Sequence, residues 1–380
     1  MRIIAFADTG GGGDFHPVVA LCLGLRARGH DVALICDPEG AEDVAPTGLP
    51  VDGGSARWSD VAVGRREAMA RISASAASDR TAVAIDWLSR RTTLLSPIFA
   101  TAIKQRRPDL GIATMMVAGA AREAATASAV PWCVVNSTWD TRRDRDNLLL
   151  RWFAEGMRDA PLLIHATDPV FDDAAATAGE HYVGPMFWES PRDPSPSYLF
   201  SEGPSWALVT VSLQPQGDIA IVPVALRALS DLGLRSVATI GRLNDASTVG
   251  PAPRNARIET SISHAAVLQR ARIMVGHAGY GSVSKAMWYG VPMALVPWGR
   301  DQPGVASRAE RLGLARVVRP AEIGSLPDAI RTVLQDEGFS RRAVEHSRRL
   351  RASDPVRLAC DILERTFAPS ASRSDELNRS

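Results

Sequence analysis

The sequence predicts an α/β protein built as two parallel-sheet halves in tandem. Strand-length apolar runs alternate with segments of helical period along most of the chain, the pattern of sheets covered by helices on both faces. One stretch, PRDPSPSYLFSEGP at 191–204, breaks that rhythm with prolines and no apolar period. The length of 380 residues exceeds the roughly 250–300 that one hydrophobic core organises.

The elements follow in order. RIIAFA (2–7) is a buried strand, and the glycine-rich TGGGGDFH (9–16) is a loop. Pro17 suits the first turn of a helix whose Val18, Leu21, Cys22 and Leu25 share one face, and Gly29 ends it before the strand DVALIC. DLGIATMMV, WCVVNS, PLLIHAT and HYVGPMF continue the strand series to residue 187. A second series begins at WALVTVSL. It runs through the helix PVALRALSDLG, the strand SVATIG, the segment AAVLQRARIMVGH, a helix after Gly281 and the strand PMALVPW. The expected domains are 1–190, a linker at 191–204, 205–353, a last helix at 354–368 packing back toward the first domain, and a disordered tail at 369–380.

Bulk properties exclude several classes. A hydrophobic fraction of 46% with 22% charged residues is that of an ordinary globular protein. The formal net charge of +1 gives no field favouring nucleic acid or an anionic membrane. Cys22, Cys36, Cys133 and Cys360 are scattered among apolar neighbours without metal-ligand or CxxC spacing, which fits a reduced, cytoplasmic setting. No apolar run approaches the roughly 18 residues that span a bilayer. MRIIAFAD meets an acid too soon for a secretory leader and reads as a first strand.

The most informative stretch is HAGYGSVSKAMWYGVPMALVPWGRDQPGVASRAERLG, residues 277–313. A strand end, a loop with Gly279 and Gly281, and a helix opened by Ser282 form an anion site, because free amides and the helix dipole face what lies above the strand. The glycines would let backbone approach a phosphate closely. Taken alone, the same four residues also read as a tight strand–helix turn with an N-cap serine.

The longer stretch resembles the C-terminal signature of glycosyltransferase family 1, the nucleotide-sugar-dependent transferases. In that family H-x-G-x-G-S/T is followed by a helix, G-V-P, a strand and D/E-Q. Here His277, Gly279, Gly281, Ser282, Gly290-Val291-Pro292 and Asp301-Gln302 stand in that order and spacing. The resemblance implies a GT-B fold: two Rossmann-like, doubly wound parallel-sheet domains facing across a cleft. It assigns His277 and the Gly281/Ser282 amides to the donor diphosphate, and Asp301 with Gln302 to sugar hydroxyls. Asp301 also reads as an N-cap ahead of Pro303. ISHAAVL resembles the segment that packs the nucleotide base: Ile262 and His264 match, and Ser263 replaces a proline. Base contact through backbone leaves uracil and thymine equally open. In VTVSLQPQGD, which resembles the first strand and loop of the donor domain, Ser212 matches, whereas Gln214 and Pro215 depart from small and hydroxyl residues.

The N-terminal glycine loop also resembles the opening of a dinucleotide-binding fold. Asp14 and His16 oppose that reading, since they stand where a pyrophosphate needs bare amides. The loop resembles instead the family's G-x-x-x-P-x-x-x-L motif, whose residue after the glycine is the catalytic base. Counted from Pro17, that residue is Asp14; His16, one position before the proline, is the second candidate. A helix N-cap remains open for Asp14 and a packing role for His16. Members with a histidine base carry an aspartate partner shortly after R-P-D, where this chain has Thr114; Asp109 reads as a strand boundary.

The pattern is nearest to bacterial transferases that decorate natural products such as glycopeptide and macrolide antibiotics, on the Asp14 base and the small-residue run AGAAREAATASA. The implied function is inverting transfer from a UDP- or dTDP-sugar to a small acceptor by a monomer or homodimer, without nucleic acid or membrane. No cofactor or metal is expected, because the sequence has no His/Cys cluster. Leaving-group charge then falls to His277 and the helix start. A GT-B 2-epimerase and a non-catalytic nucleotide-sugar binder share the donor half. The acceptor pocket is expected from N-domain loops near 55–95 and 136–150, with Trp58, Trp87, Trp132 and Trp139 as aromatic candidates.

Overall fold

A computed structural model describes residues 1–9, 13–52, 58–75, 79–200, 205–213 and 216–368. The end of the proline-rich stretch (201–204), Gln214, Pro215 and the tail 369–380 lie outside the described residues.

The first sheet holds β1 (Arg2–Phe6), β2 (Asp31–Ile35), β3 (Val51–Asp52), β4 (Leu110–Thr114), β5 (Trp132–Asn136), β6 (Leu163–His165) and β7 (Glu180–Tyr182). Their spatial order is β3-β2-β1-β4-β5-β6-β7. The second holds β8 (Trp206–Thr210), β9 (Arg235–Thr239), β10 (Ala256–Glu259), β11 (Ala271–Gly276), β12 (Met293–Leu295) and β13 (Ala315–Val317), ordered β10-β9-β8-β11-β12-β13. Every pairing is parallel. The central strands are buried along their whole length, which is why they read as unbroken apolar runs. These are the two Rossmann-like sheets of the GT-B fold. In each, strand order reverses at one place, β1/β4 and β8/β11, where ligands of such sheets bind beyond the carboxyl ends.

Around the first sheet lie α1 (Phe15–Ala27), α2 (Pro38–Val44), α3 (Trp58–Ala74), α4 (Arg80–Arg106), α5 (Ala118–Ala127), α6 (Leu148–Gly156) and α7 (Pro169–Asp172). The second carries α8 (Ile221–Asp231), α9 (His264–Leu268), α10 (Tyr280–Tyr289), α11 (Gln302–Arg311), α12 (Leu326–Gln335) and α13 (Glu337–Leu350), and α14 (Pro355–Phe367) ends the helical series. No helix among the described residues is long and apolar enough to cross a membrane.

The last helix returns to the first half. Ala359, Cys360, Ile362 and Leu363 of α14 share a core with Val18, Leu21, Cys22 and Leu25 of α1. The approach is so close that a Cβ on Gly24 would stand 2.5 Å from Val356 Cγ1. That contact accounts for a glycine in mid-helix, where it costs about 1 kcal/mol against alanine. Arg28 closes the rim on Asp361 at 2.6 Å and Glu364 at 2.8 Å.

Several expectations need correcting. The run DLGIATMMV ends as a strand at Thr114, and Met115–Val117 is a 3-10 turn into α5. The stretch 55–95, expected as acceptor loops, is mostly the helices α3 and α4. Trp58 and Trp87 lie in the apolar cluster that those helices make with β1 and β4, with the Trp87 ring against Gly64. Aromatic faces packed into a core offer no acceptor surface. Trp132 is likewise buried, on β5.

Candidate active site

The carboxyl ends of the two switch points face each other, and two glycines meet across them. A Cβ built on Gly281 would be 3.4 Å from the Gly13 Cα. Asp14 follows, at the N-cap position of α1, but its side chain caps nothing. Its Oδ1 instead accepts a short hydrogen bond from the Ser137 hydroxyl. Burial pushes the Asp14 carboxyl up to about 7, Asp301 and Asp8 add to the rise, and Ser137 and Arg91 oppose it. The N-cap alternative is thereby excluded.

Asp8 and Arg91 form a buried ion pair at 3.2 Å beneath this carboxyl. Sequence reading passed over both: Asp8 registered only as an acid ending β1, and nothing in the pattern of α4 marks Arg91. His16 has a packing role. Its Nδ1 donates to the Trp188 carbonyl at 2.7 Å and its ring lies 5.6 Å from the Trp188 ring. Burial and the nearby Lys285 charge lower its pKa.

The loop after β5, Asn136-Ser137-Thr138-Trp139, spans the two halves. Ser137 meets Asp14, while the Thr138 hydroxyl donates to Asp301 Oδ2 at 2.7 Å and Trp139 Nε1 donates to the Asp301 carbonyl at 3.3 Å. Asn136 braces the loop: its Oδ1 accepts the Thr138 amide at 3.4 Å and its Nδ2 donates to the Trp139 carbonyl at 3.3 Å. Trp139 is therefore an interdomain wedge rather than an acceptor face, packed on Gly304 with the Arg308 guanidinium 4.0 Å above its ring.

On the donor side Asp301 stands at the N-cap position of α11 without capping it, so that alternative is excluded too. Gln302 is buried, and its Oε1 accepts the Trp298 and Gly299 amides at 2.8 and 3.2 Å. His277 is 8% exposed, its Nδ1 donates to the Thr210 carbonyl at 3.4 Å, and its Nε2 lies over Gly279. Burial holds its pKa down. Gly279 is needed for this histidine: a Cβ there would stand 2.4 Å from His277 Nε2. That steric demand calls for glycine at 279 whatever the backbone there approaches. Helix α10 starts at Tyr280, two residues before Ser282, and the Ser282 amide donates to the Gly279 carbonyl at 3.1 Å. The Tyr280 and Gly281 amides are the ones that a helix start leaves for an anion.

The remaining donor candidates ring the end of β8. The Ser212 amide donates to Asp218 Oδ2 at 2.6 Å. Ile262 is core, and Ser263, where a proline was expected, caps α9 through the Ala266 amide at 3.2 Å. His264 Nε2 meets the Thr239 hydroxyl at 3.0 Å, and burial with the Lys285 charge pushes its pKa down to about 4. Two non-glycine residues with left-handed backbone, Ala278 (φ 64) and Arg300 (φ 60), sit directly beside His277 and Asp301. Such strain, about 1–3 kcal/mol each, persists where surrounding structure demands it.

The metal-free expectation also assumed that the chain has no Asp-x-Asp triplet, which Asp144-Arg145-Asp146 corrects; it makes a turn, in which Asp144 Oδ1 accepts the Asp146 and Asn147 amides at 3.2 and 3.0 Å. A surface cavity of about 740 Å³, lined by Leu148, Trp152, Met157 and Glu180, lies apart from all the residues above. Chemistry, and not cavity size, therefore locates the site.

Comparison with known proteins bears on the fold and on the second half of the chain. Residues 250–354 match the glycosyltransferase family 28 C-terminal domain. An uncharacterised UDP-glucosyltransferase, YojK of Bacillus subtilis, is 26% identical over 55% of this chain and 53% of its own length. The chain spans about half the length of the curated relatives it matches first. The structure of the glycotransferase of kitacinnamycin superposes with a TM-score of 0.74 at 21% identity, covering 96% of this chain and 99% of that one. Spinosyn rhamnosyltransferase SpnG complexed with thymidine diphosphate superposes with a TM-score of 0.70 at 18% identity, over 95% and 100%. The chain has the GT-B fold of these glycosyltransferases, and residues 250–354 in its second half are similar to the glycosyltransferase family 28 C-terminal domain.

Proposed function

We propose that the protein transfers a sugar from a UDP- or dTDP-linked donor to a small, natural-product-like acceptor, with inversion at the anomeric carbon and Asp14 as general base. The observation that carries this reading is the state of Asp14. It is an aspartate that caps no helix, is pushed up to about 7 by burial, and stands across the cleft from the start of α10. A base works best when its pKa lies near the working pH. The acceptor hydroxyl gives its proton to the Asp14 carboxylate as its oxygen attacks the anomeric carbon. The bond to the nucleoside diphosphate breaks on the opposite face, and the α10 amides with His277 receive the departing charge. Asp301 and the Gln302 amide face sugar hydroxyls. Similar proteins support the donor class: a UDP-glucosyltransferase on one side, a rhamnosyltransferase complexed with thymidine diphosphate on the other.

The test is Asp14→Asn, assayed for acceptor-dependent product with UDP- and dTDP-sugars and for nucleotide affinity by calorimetry. Turnover should fall by about 10²–10⁴-fold, the usual weight of a general base, with nucleotide affinity unchanged. A variant that keeps half its activity removes Asp14 from the mechanism. Nucleotide binding without turnover by the wild-type protein, across a broad acceptor panel, would favour a binder.

A further inference from the structure

The geometry points to Ser137 and Thr138 as paired positioning residues, one holding the base and the other holding the donor-side acid, so that a single loop of the first half sets both ends of the reaction. The inference rests on the reading of Asp14 as base and adds two residues to it.

The loop joins two carboxylates that come from opposite halves of the molecule. Ser137 donates to Asp14 Oδ1 and its neighbour Thr138 donates to Asp301 Oδ2 at 2.7 Å. Each hydroxyl occupies one oxygen of its carboxylate and so fixes the direction in which the carboxylate presents itself. The loop has little freedom to do otherwise. Asn136, fully buried, ties the Thr138 amide and the Trp139 carbonyl at 3.4 and 3.3 Å, and its Nδ2 lies 3.0 Å from His165 Nδ1. At the other end Trp139 is clamped between Gly304 and Arg308, and Arg308 is tied at 3.3 Å to the buried Asp172. Ser137 and Thr138 are themselves 6% and 5% exposed, so water does not compete freely for their hydroxyls.

The two hydroxyls have separable consequences. A hydrogen bond to a carboxylate favours its charged form. The charged groups around Asp14 are Asp8 at the end of β1, Arg91 on α4 and Asp301 before α11. Two of the three oppose ionisation, so Ser137 and Arg91 are what keep the base titrating in the neutral range. Loss of the Ser137 hydroxyl therefore moves the acid limb of activity upward. Asp301 faces Arg300 and His277 in addition to Thr138, and its task is to meet the sugar. Loss of the Thr138 hydroxyl therefore changes donor recognition and leaves that limb in place.

The experiment compares pH profiles of kcat/KM, and donor KM, for Ser137→Ala, Ser137→Thr, Thr138→Val and Thr138→Ser in the full chain. Ser137→Ala should shift the acid limb up by about one pH unit, recover at high pH, and be rescued by Ser137→Thr. Thr138→Val should raise donor KM about tenfold with the limb unmoved, and Thr138→Ser should restore it. A Ser137→Ala profile lowered uniformly at every pH, or a Thr138→Val variant with unchanged or lower donor KM, overturns the assignment. Far-ultraviolet circular dichroism and the melting temperature identify any variant that fails to fold, and for it the threonine or serine variant supplies the reading. Should Asp14→Asn retain activity, the base assignment itself has failed; inactive Asp14→Asn with an unmoved Ser137→Ala limb refutes only the positioning role.

Discussion

Asp14→Asn should stabilise the protein in alkaline solution while destroying its activity. The carboxyl is raised from its ordinary 3.8 to about 7, so the folded chain holds that proton more tightly than the unfolded chain does. The stabilisation from protonated Asp14 is full below pH 3.8 and is lost as pH rises through about 7. A displacement of that size corresponds to at most about 4 kcal/mol. Asp14 is only half-buried, and solvent reaching the carboxylate cuts the cost of its charge to about 2 kcal/mol. Asparagine keeps the shape and still accepts from Ser137 through its carbonyl oxygen, but it carries no charge at any pH. Urea unfolding of both proteins, followed by tryptophan fluorescence at pH 5 and pH 8.5, measures the difference. The variant should be more stable at pH 8.5 by about 2 kcal/mol, with less than half that gap at pH 5. A gap of equal size at both values, or a variant weaker than wild type at pH 8.5, would show that the fold does not hold Asp14 against ionisation.

Two further outcomes are expected. Gly304→Ala places a Cβ 2.7 Å from the Trp139 ring, which Arg308 prevents from retreating. Despite alanine's better helix propensity it should destabilise by about 1–3 kcal/mol. Through the Trp139–Asp301 hydrogen bond it should also raise donor KM; an equal or higher melting temperature refutes the packing argument. Activity is expected to persist in excess EDTA, because Asp144 of the Asp-x-Asp triplet is engaged in its own turn and leaving-group charge falls to His277 and α10. Loss on chelation with recovery in magnesium would overturn that account.

The alternation of buried strands and amphipathic helices is local information, and it was readable from apolar period alone. So were the glycine loops, and the helix starts at which Asp14 and Asp301 stand. What each carboxylate does there was not readable. An N-cap bonds within three residues of itself, and both aspartates offered that bond by position. The partners that claim them instead, Ser137 and Thr138, lie 123 and 163 positions away in sequence. Gly279 was visible as a glycine, but the His277 ring folded over it is a contact decided by side-chain packing. The region of Trp58 and Trp87 suggested exposed aromatic loops because α3 and α4 carry weak amphipathic patterns, and only the packed sheet shows which faces are buried. The sequence by itself determined the alternation of strands and helices and the loop–helix junctions at which Asp14 and Asp301 stand. The tertiary structure decided which of those groups meet, because hydrogen bonds between distant loops depend on how two sheets are set against each other, and no local pattern records that.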